Sequence, residues 1–307
     1  MDRTAAQILI MSSTLAIIVT YNPAAADLGS LLARLRGEPV ETIVIDNGSS
    51  NIEQTATQVA AHVRVGLIRL ERNFGIAHAQ NIGLKKALAG SYQFALLLDQ
   101  DSLPEAGFVE RAHQAFRTLD PEGRSVAAVG PSHIDSNTEY SYPFVRFSRF
   151  SVHVFRPSAQ YEDVSLLISS GSMLNLVVLP AIGLMNEAFF IDHVDTEWCL
   201  RASAKGFRMI GMAENQMRHS VGDATIRIAG RNLPSHNPKR RYLATRNLFY
   251  LIFHQRAPFQ WKIKEATTSV LKLALVLPSV KYRSAHVRSY LLGALDGMTT
   301  NFSRVNQ

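Results

Sequence analysis

Residues 94–102 read FALLLDQDS: an apolar run of strand length that ends in two carboxylates, Asp99 and Asp101, one residue apart. Where a strand passes into a loop, this spacing lets both carboxylates approach one hard divalent cation, and such cations keep open positions for substrate phosphates. The bland alternative is a solvated turn. What surrounds the stretch decides between them.

Upstream, short aliphatic or β-branched runs alternate with segments of helical period. Strands are expected at residues 15–20, 42–45, 65–70 and 94–98, and helices at 26–36, 53–62 and 76–89. This alternation predicts an α/β fold with a mostly parallel sheet and helices on both faces. Ligands of such sheets collect at the carboxyl ends of the strands. The conspicuous polar residues fall there: Thr20-Tyr21-Asn22, Asp46-Asn47-Gly48-Ser49-Ser50, Arg72-Asn73-Phe74-Gly75 and Asp99-Gln100-Asp101. Asp46 can accept a hydrogen bond from the imide of a uracil or thymine ring, or the cluster can be an ordinary turn and helix cap. Asn73 and Gly75, followed by Asn81 and Gly83, suit a backbone that approaches a ligand at a helix start, and they suit a plain loop-to-helix junction equally.

The 307 residues, 47% hydrophobic and 19% charged, allow one large α/β domain with a C-terminal appendage or two small domains. A single cysteine, Cys199, excludes an internal disulfide framework and a cysteine-based zinc site, which predicts a cytoplasmic chain. The net charge of +7 favours anionic partners. Much of it sits between Arg227 and Arg288, with no helix-turn-helix, zinc-finger or ribonucleoprotein motif, so nucleic acid is not expected. Apolar residues interleave with these cations, as in LKLALVLPSV at 271–280, yet charges interrupt every run before the ~18 residues a membrane span needs. A basic amphipathic surface lying on a membrane, and helices packed on their own domain, are both open readings. Near the start, ILIMSSTLAIIV runs into TYNP without a small-residue cleavage site. It is read as the first buried strand, with Met1 or Met11 as the natural start.

A second informative region is AFFIDHVDTEWCLRASAKGFR, residues 188–208. Asp192, Asp195 and Glu197 stand at close spacing at the start of a helical pattern. They can cap the helix, or one can act as a general base that takes a proton from a hydroxyl; Asp195 is the choice, with Asp192 and Glu197 in reserve. Gly171 and Ser172, before a strand expected at 173–178, border an acceptor or reflect tight packing. Arg240, Arg241, Tyr242, Arg246 and Asn247 form a last cluster, either a solvated basic face or a helix crossing the cleft whose arginine forks meet phosphate oxygens.

The motifs IIVTYN, VIDNGSS, RNFGIAHAQNIGL, LLLDQDS, SSGSMLN, FFIDHVDTEWCLR, RHSVGD and HNPKRRYLATRN occur in this order over roughly residues 15–250. Together they resemble the inverting glycosyltransferases of family 2, with the GT-A fold, in the rhamnosyltransferase-like branch. The resemblance implies a GT-A domain over 13–250 and a basic amphipathic helical region over 251–307 that serves a membrane surface or a homo-oligomer. It implies that Thr20, Asn22 and Asp46 hold the nucleoside, with Asn73, Gly75 and Asn81 closing over it. Asp99 and Asp101 match the pair that holds Mg²⁺ or Mn²⁺, with Asp101 the direct ligand and His219 of RHSVGD completing the site. Asp195 matches the catalytic base, although Val194 precedes it where many members carry Glu. Arg241 and Arg246 would meet the diphosphate or a lipid phosphate.

The implied reaction transfers L-rhamnose from dTDP-L-rhamnose, or a hexose from a UDP-sugar, to a hydroxyl of a bacterial surface polysaccharide or lipid-linked glycan at the inner face of the cytoplasmic membrane. Two other classes fit less well. A nucleotidyltransferase carries a glycine-rich basic loop after the first strand, which TYNPAAAD lacks, and a non-catalytic binding subunit would have lost the metal pair or the base.

Overall fold

Strand β1 (Thr14–Thr20) is buried along its whole length, and its side chains alternate between two cores. Leu15, Ile17 and Val19 join one with Ala77, Leu84 and Trp198, while Ala16 and Ile18 join the other with Leu28, Leu32, Phe108 and Phe116. A strand apolar on both faces belongs in the middle of a sheet covered by helices on both sides. The computed structural model describes residues 13–135, 139–148, 151–219, 225–228, 231–234 and 237–303, with the backbone alone at 219, 225–228 and 231–234.

After β1 come α1 (Ala25–Leu35), β2 (Glu41–Asp46), α2 (Ile52–Ala60), β3 (Val65–Arg69), α3 (Ile76–Ala89) and β4 (Phe94–Asp99), each close to its expected place. The chain continues through β5 (Leu103–Pro104), α4 (Phe108–Leu119) and β6 (Val126–Asp135). A hairpin of β7 (Phe144–Phe147) and β8 (Val152–Phe155) follows, then β9 (Tyr161–Val164), β10 (Met173–Asn175), α5 (Leu179–Ile182), α6 (Val194–Ala204) and β11 (Arg208–His219). A second hairpin, β12 (Thr225–Ile228) with β13 (Arg231–Pro234), leads to three helices, α7 (Pro238–His254), α8 (Phe259–Val276) and α9 (Arg283–Met298). The main sheet has nine strands among the described residues, in the order β3-β2-β1-β4-β10-β6-β11-β5, with β9 also on β11. Strands β3, β2, β1, β4, β6 and β11 run one way; β10, β5 and β9 run the other.

The strand expected over 173–178 is shorter, ending at Asn175. Asn175 turns the chain: its amide nitrogen donates to the Gly123 and Val126 carbonyls, and its side-chain oxygen accepts from Val177 N. Residue 250, the expected domain limit, lies within α7. Helices α7 and α9 touch backbone to backbone. A Cβ on Gly293 would lie 2.6 Å from the Tyr242 carbonyl, and one on Gly297 would strike the Arg246 carbonyl. Among the described residues no helix is long and apolar enough to cross a membrane.

Strand β6 is anchored by Asp120, whose carboxylate accepts from the backbone N–H groups of Arg124, Ser125 and Val126 at 2.8–3.2 Å. Burial pulls its pKa up, but these donors outweigh burial and hold it below 3.8. A depressed carboxylate pKa stabilises the fold above the unfolded value, and that contribution fades as pH falls through the folded one. Asp120→Asn is expected to cost about 2 kcal/mol at pH 7. In thermal melts its gap from the parent chain should narrow steadily below about pH 4.

Candidate active site

The carboxyl ends of β1, β2, β3 and β4 are stitched into one rim. Thr20 Oγ1 donates to Asp46 Oδ2 at 3.0 Å, and Ser49 donates to the same carboxylate through N (2.9 Å) and Oγ (2.5 Å). Asn22 N donates to Ser49 Oγ, and Asn22 Oδ1 accepts from Ser50 N and Oγ at 2.8 and 2.9 Å. Asn47 joins β2 to the loop after β3: its Nδ2 donates to Asn73 Oδ1 at 3.1 Å and its Oδ1 accepts from Phe74 N at 2.9 Å. Tyr21 N donates to Gln100 Oε1 at 2.8 Å, tying β1 to the residue between the two aspartates. Asp46, 1% exposed, therefore spends three of about four acceptor positions on the rim itself. Asn73 Oδ1 also takes Gly75 N at 2.9 Å. Gly75 has φ +91°, and a Cβ there would meet Phe190 O at 2.6 Å, so only glycine lets the rim close against the turn before α6.

Asp99 ends β4 and Asp101 lies in the turn after it. Asp99 N donates to Ser102 Oγ (3.1 Å) and to Ser170 Oγ (3.5 Å), and the two serine hydroxyls bond to each other. The next residue back, Ser169, donates its N–H to Asp195 Oδ2 at 3.2 Å, while Asp195 Oδ1 accepts from Thr196 N at 2.7 Å. Ser169–Ser170 thus bridges the backbone of Asp99 and the carboxylate of Asp195. It is fastened to β4 by Gly171 N→Leu97 O (2.7 Å) and Leu97 N→Ser172 O (3.0 Å). Gln80 Nε2 holds Ser169 Oγ at 2.7 Å, and the buried ring of His133 bonds Ser170 O at 2.9 Å. Asp195 lines a cavity of about 250 Å³ with Pro131, His133, Tyr142 and Leu166. A larger opening of about 440 Å³ lies at the opposite ends of β2 and β3, between Arg36, His62 and Arg64, away from these groups.

The donor set of Asp99 and Asp101 is oxygen only, on a strand end and its turn. Two carboxylates with remaining positions left to phosphate oxygens and water is how Mg²⁺ is commonly held. Among the described residues no cluster of three His, Cys, Asp or Glu side chains could hold a metal. The side chain of His219 lies outside the described residues. Its backbone ends β11 one position beyond the Arg218–Leu103 pair, on the side of Ser102.

Other expected residues are placed elsewhere. Asn81 is buried, with its amide spent on Met185 N, Met185 O and Glu187 Oε1, so it fastens α3 to the 185–187 turn. Arg246 is fully enclosed and donates to the Ala188 and Phe189 carbonyls and to Asn247 Oδ1; it supports the turn before α6 instead of facing the rim. Arg241 is buried against His286 beside the Asp192–His193 turn. Glu197 forms a buried two-bond ion pair with Arg201, and Asp192 a two-bond pair with Arg240. Burial pushes the Cys199 thiol up to about 12, which keeps it an inert core group. Sequence reasoning missed the parts played by Gln100, Ser102, His133, Ser169 and Ser170, although Gln100, Ser102 and the two bridging serines stand inside the quoted LLLDQDS and SSGSMLN motifs.

This rim, at the carboxyl ends of a mostly parallel sheet, defines an α/β glycosyltransferase of GT-A type. Residues 15–176 match the family model of Glycosyl transferase family 2, and the chain belongs to that family. Among curated relatives it is similar to the dTDP-rhamnosyl transferase RfbF of Shigella flexneri, at 33% identity over 94% of this chain and 96% of that one. It is also similar to the glycosyltransferase YwdF of Bacillus subtilis, at 27% identity over 63% of this chain and 68% of that one. The fold is shared with S. aureus TarS 1–349 in complex with UDP-GlcNAc (TM-score 0.58, 15% identity, 95% of this chain and 83% of that one). GalNAc-T7 with UDP, GalNAc and Mn²⁺ shares it too (TM-score 0.55, 14% identity, 78% of this chain and 48% of that one). The chain is a rhamnosyltransferase-like glycosyltransferase.

Proposed function

We propose that the chain transfers L-rhamnose from dTDP-L-rhamnose to a hydroxyl of a bacterial surface polysaccharide or lipid-linked glycan, with inversion at the anomeric carbon. The observation that carries this reading is the Ser169–Ser170 bridge, which ties the backbone of Asp99 and the carboxylate of Asp195 to one short segment. The nucleoside lies over the rim of Thr20, Asn22, Asp46 and Asn73, and the acceptor hydroxyl enters the cavity beside Asp195. Asp195 takes the proton from that hydroxyl as its oxygen attacks the face opposite the leaving nucleotide. Mg²⁺ or Mn²⁺ held by Asp99 and Asp101, with His219 as a candidate third ligand, would neutralise charge on the departing diphosphate. Ser102 and Ser170 hold the backbone of Asp99, so the carboxylates need little reorganisation.

The likeness to RfbF supports rhamnose over the alternative, a UDP-hexose donor. The apolar side chains exposed on α8 (Phe259, Ile263, Val270, Leu271 and Leu275) stand among Lys262, Lys264 and Lys272, which supports peripheral attachment to an anionic membrane face. A second copy of the chain is the competing occupant of that face.

The test is binding and slow hydrolysis of dTDP-L-rhamnose, UDP-glucose, UDP-galactose and GDP-mannose by the purified protein with Mn²⁺. Metal-dependent binding of dTDP-L-rhamnose at least tenfold tighter than the others is expected. Preference for a UDP-hexose would replace the donor, and binding of none would leave a non-catalytic role in its place.

A further inference from the structure

Arg241, on α7, is 8% exposed. Among the described residues its guanidinium makes one hydrogen bond, Nε–H to His286 Nδ1 at 3.1 Å, and no carboxylate pairs with it. His286, 4% exposed, accepts that bond and is therefore unprotonated at Nδ1. Burial, then the charge of Arg241, lower its pKa. Both effects keep the ring neutral, so it supplies no counter-charge. Asp192 has both oxygens committed to Arg240, and Glu265, on the α8 wall, makes no ion pair with Arg241. A buried guanidinium without an anion is costly, and its fork matches phosphate oxygens.

Arg241 lines a cavity of about 240 Å³ between α7, α8 and the Asp192–His193 turn, together with Lys272, Thr268 and Ser269. Arg241 and Lys272 bring two cations to this space and Thr268 a hydroxyl, while Ser269 Oγ is bonded to Ala266 O and the Tyr290 hydroxyl. Of the two carboxylates on the wall, Asp192 is paired with Arg240, and Glu265 leaves one negative charge against the two cations. The turn that closes it leads within two residues to Asp195, while its α8 wall carries the exposed apolar stripe on another face. We infer that this cavity is a second anion site, separate from the aspartate pair, which takes a phosphoryl or diphosphoryl group of the acceptor. The site itself is argued from Arg241 alone, whereas its assignment to the acceptor rests on the transfer reading proposed above.

The experiment is calorimetric titration of inorganic phosphate and pyrophosphate into metal-free protein, in which the aspartate pair offers no cation to a diphosphate. Saturable pyrophosphate binding is expected. It should weaken at least tenfold in Arg241→Gln and at least threefold in Lys272→Gln, and be no weaker in Asp101→Asn. Should Arg241→Gln fail to fold by circular dichroism, Lys272→Gln and Thr268→Val decide the matter. Absence of saturable binding, or binding unchanged in the folded variants, would overturn the site.

Neutral vesicles doped with a long-chain alkyl phosphate separate the two sources of the anion. Capture that pyrophosphate competes away, and that Lys272→Gln weakens, assigns a lipid-borne phosphate; pyrophosphate binding without such capture assigns a soluble or saccharide phosphate. Pyrophosphate binding in a protein that binds no nucleotide sugar would keep the anion site and remove the transfer reading. Nucleotide-sugar binding without pyrophosphate binding would do the reverse.

Discussion

Asp195→Asn is expected to lower glycosyl transfer by about 10³-fold while leaving donor binding within a factor of two. The substitution keeps volume and polarity, and the folded site should survive it. Asp195 is held by backbone N–H groups of Ser169 and Thr196, and an Asn carbonyl oxygen can keep one of the two. On the proposed mechanism, what is lost is the proton acceptor beside the cavity at Pro131, His133 and Tyr142. The effect should therefore appear in kcat, with KM for the donor nearly unchanged. Retention of more than a tenth of the parent rate would move the base elsewhere. Neither reserve is well placed to take over, because Glu197 is buried in its pair with Arg201 and Asp192 is bound twice by Arg240.

The half of the sheet from β1 to β4 was legible because its signals are local. Each strand is a short apolar run, each helix follows within a few residues, and the polar residues at the strand ends mark one edge. Asp46 was legible as a rim residue for the same reason, since Ser49 lies three positions away. The other half is held by long-range contacts with no local signature. The bond from Asp99 N to Ser170 Oγ spans 71 residues, and that from Ser169 N to Asp195 spans 26. Small serines in SSGSMLN suit a tight turn or a bridge equally, so only the fold distinguishes them.

Arg246 misled because a basic residue in a basic run reads as a phosphate contact or a solvated face. Its side chain instead crosses the helix packing to reach the Ala188 and Phe189 carbonyls, with the Phe302 ring 4.7 Å from the guanidinium. Asn81 misled for a related reason: an amide near a helix start suits a ligand, and it suits equally the exposed ends of a buried turn.

Asp101→Asn is expected to lower transfer on the order of 10³-fold, because a cation at the proposed pair would contribute several kcal/mol toward the charge that develops on the leaving diphosphate. Asp101 is the informative position. Asp99 is paired in the sheet opposite Val19, so its replacement risks the strand end, whereas Asp101 sits in the turn beyond β4. Chelation should abolish activity of the parent protein and Mn²⁺ should restore it, while Asp101→Asn should recover little at any Mn²⁺ concentration that leaves the protein folded. Ser102→Ala provides the graded comparison. It removes the hydroxyl that receives Asp99 N and meets Ser170, without touching a carboxylate, and a supporting residue of this kind is worth about 10-fold. An Asp101→Asn variant with full activity in the presence of a chelator would show that charge on the diphosphate is met by protein cations alone. A Ser102→Ala loss as deep as that of Asp101→Asn would instead show that the bridge, more than the carboxylate it positions, limits the reaction.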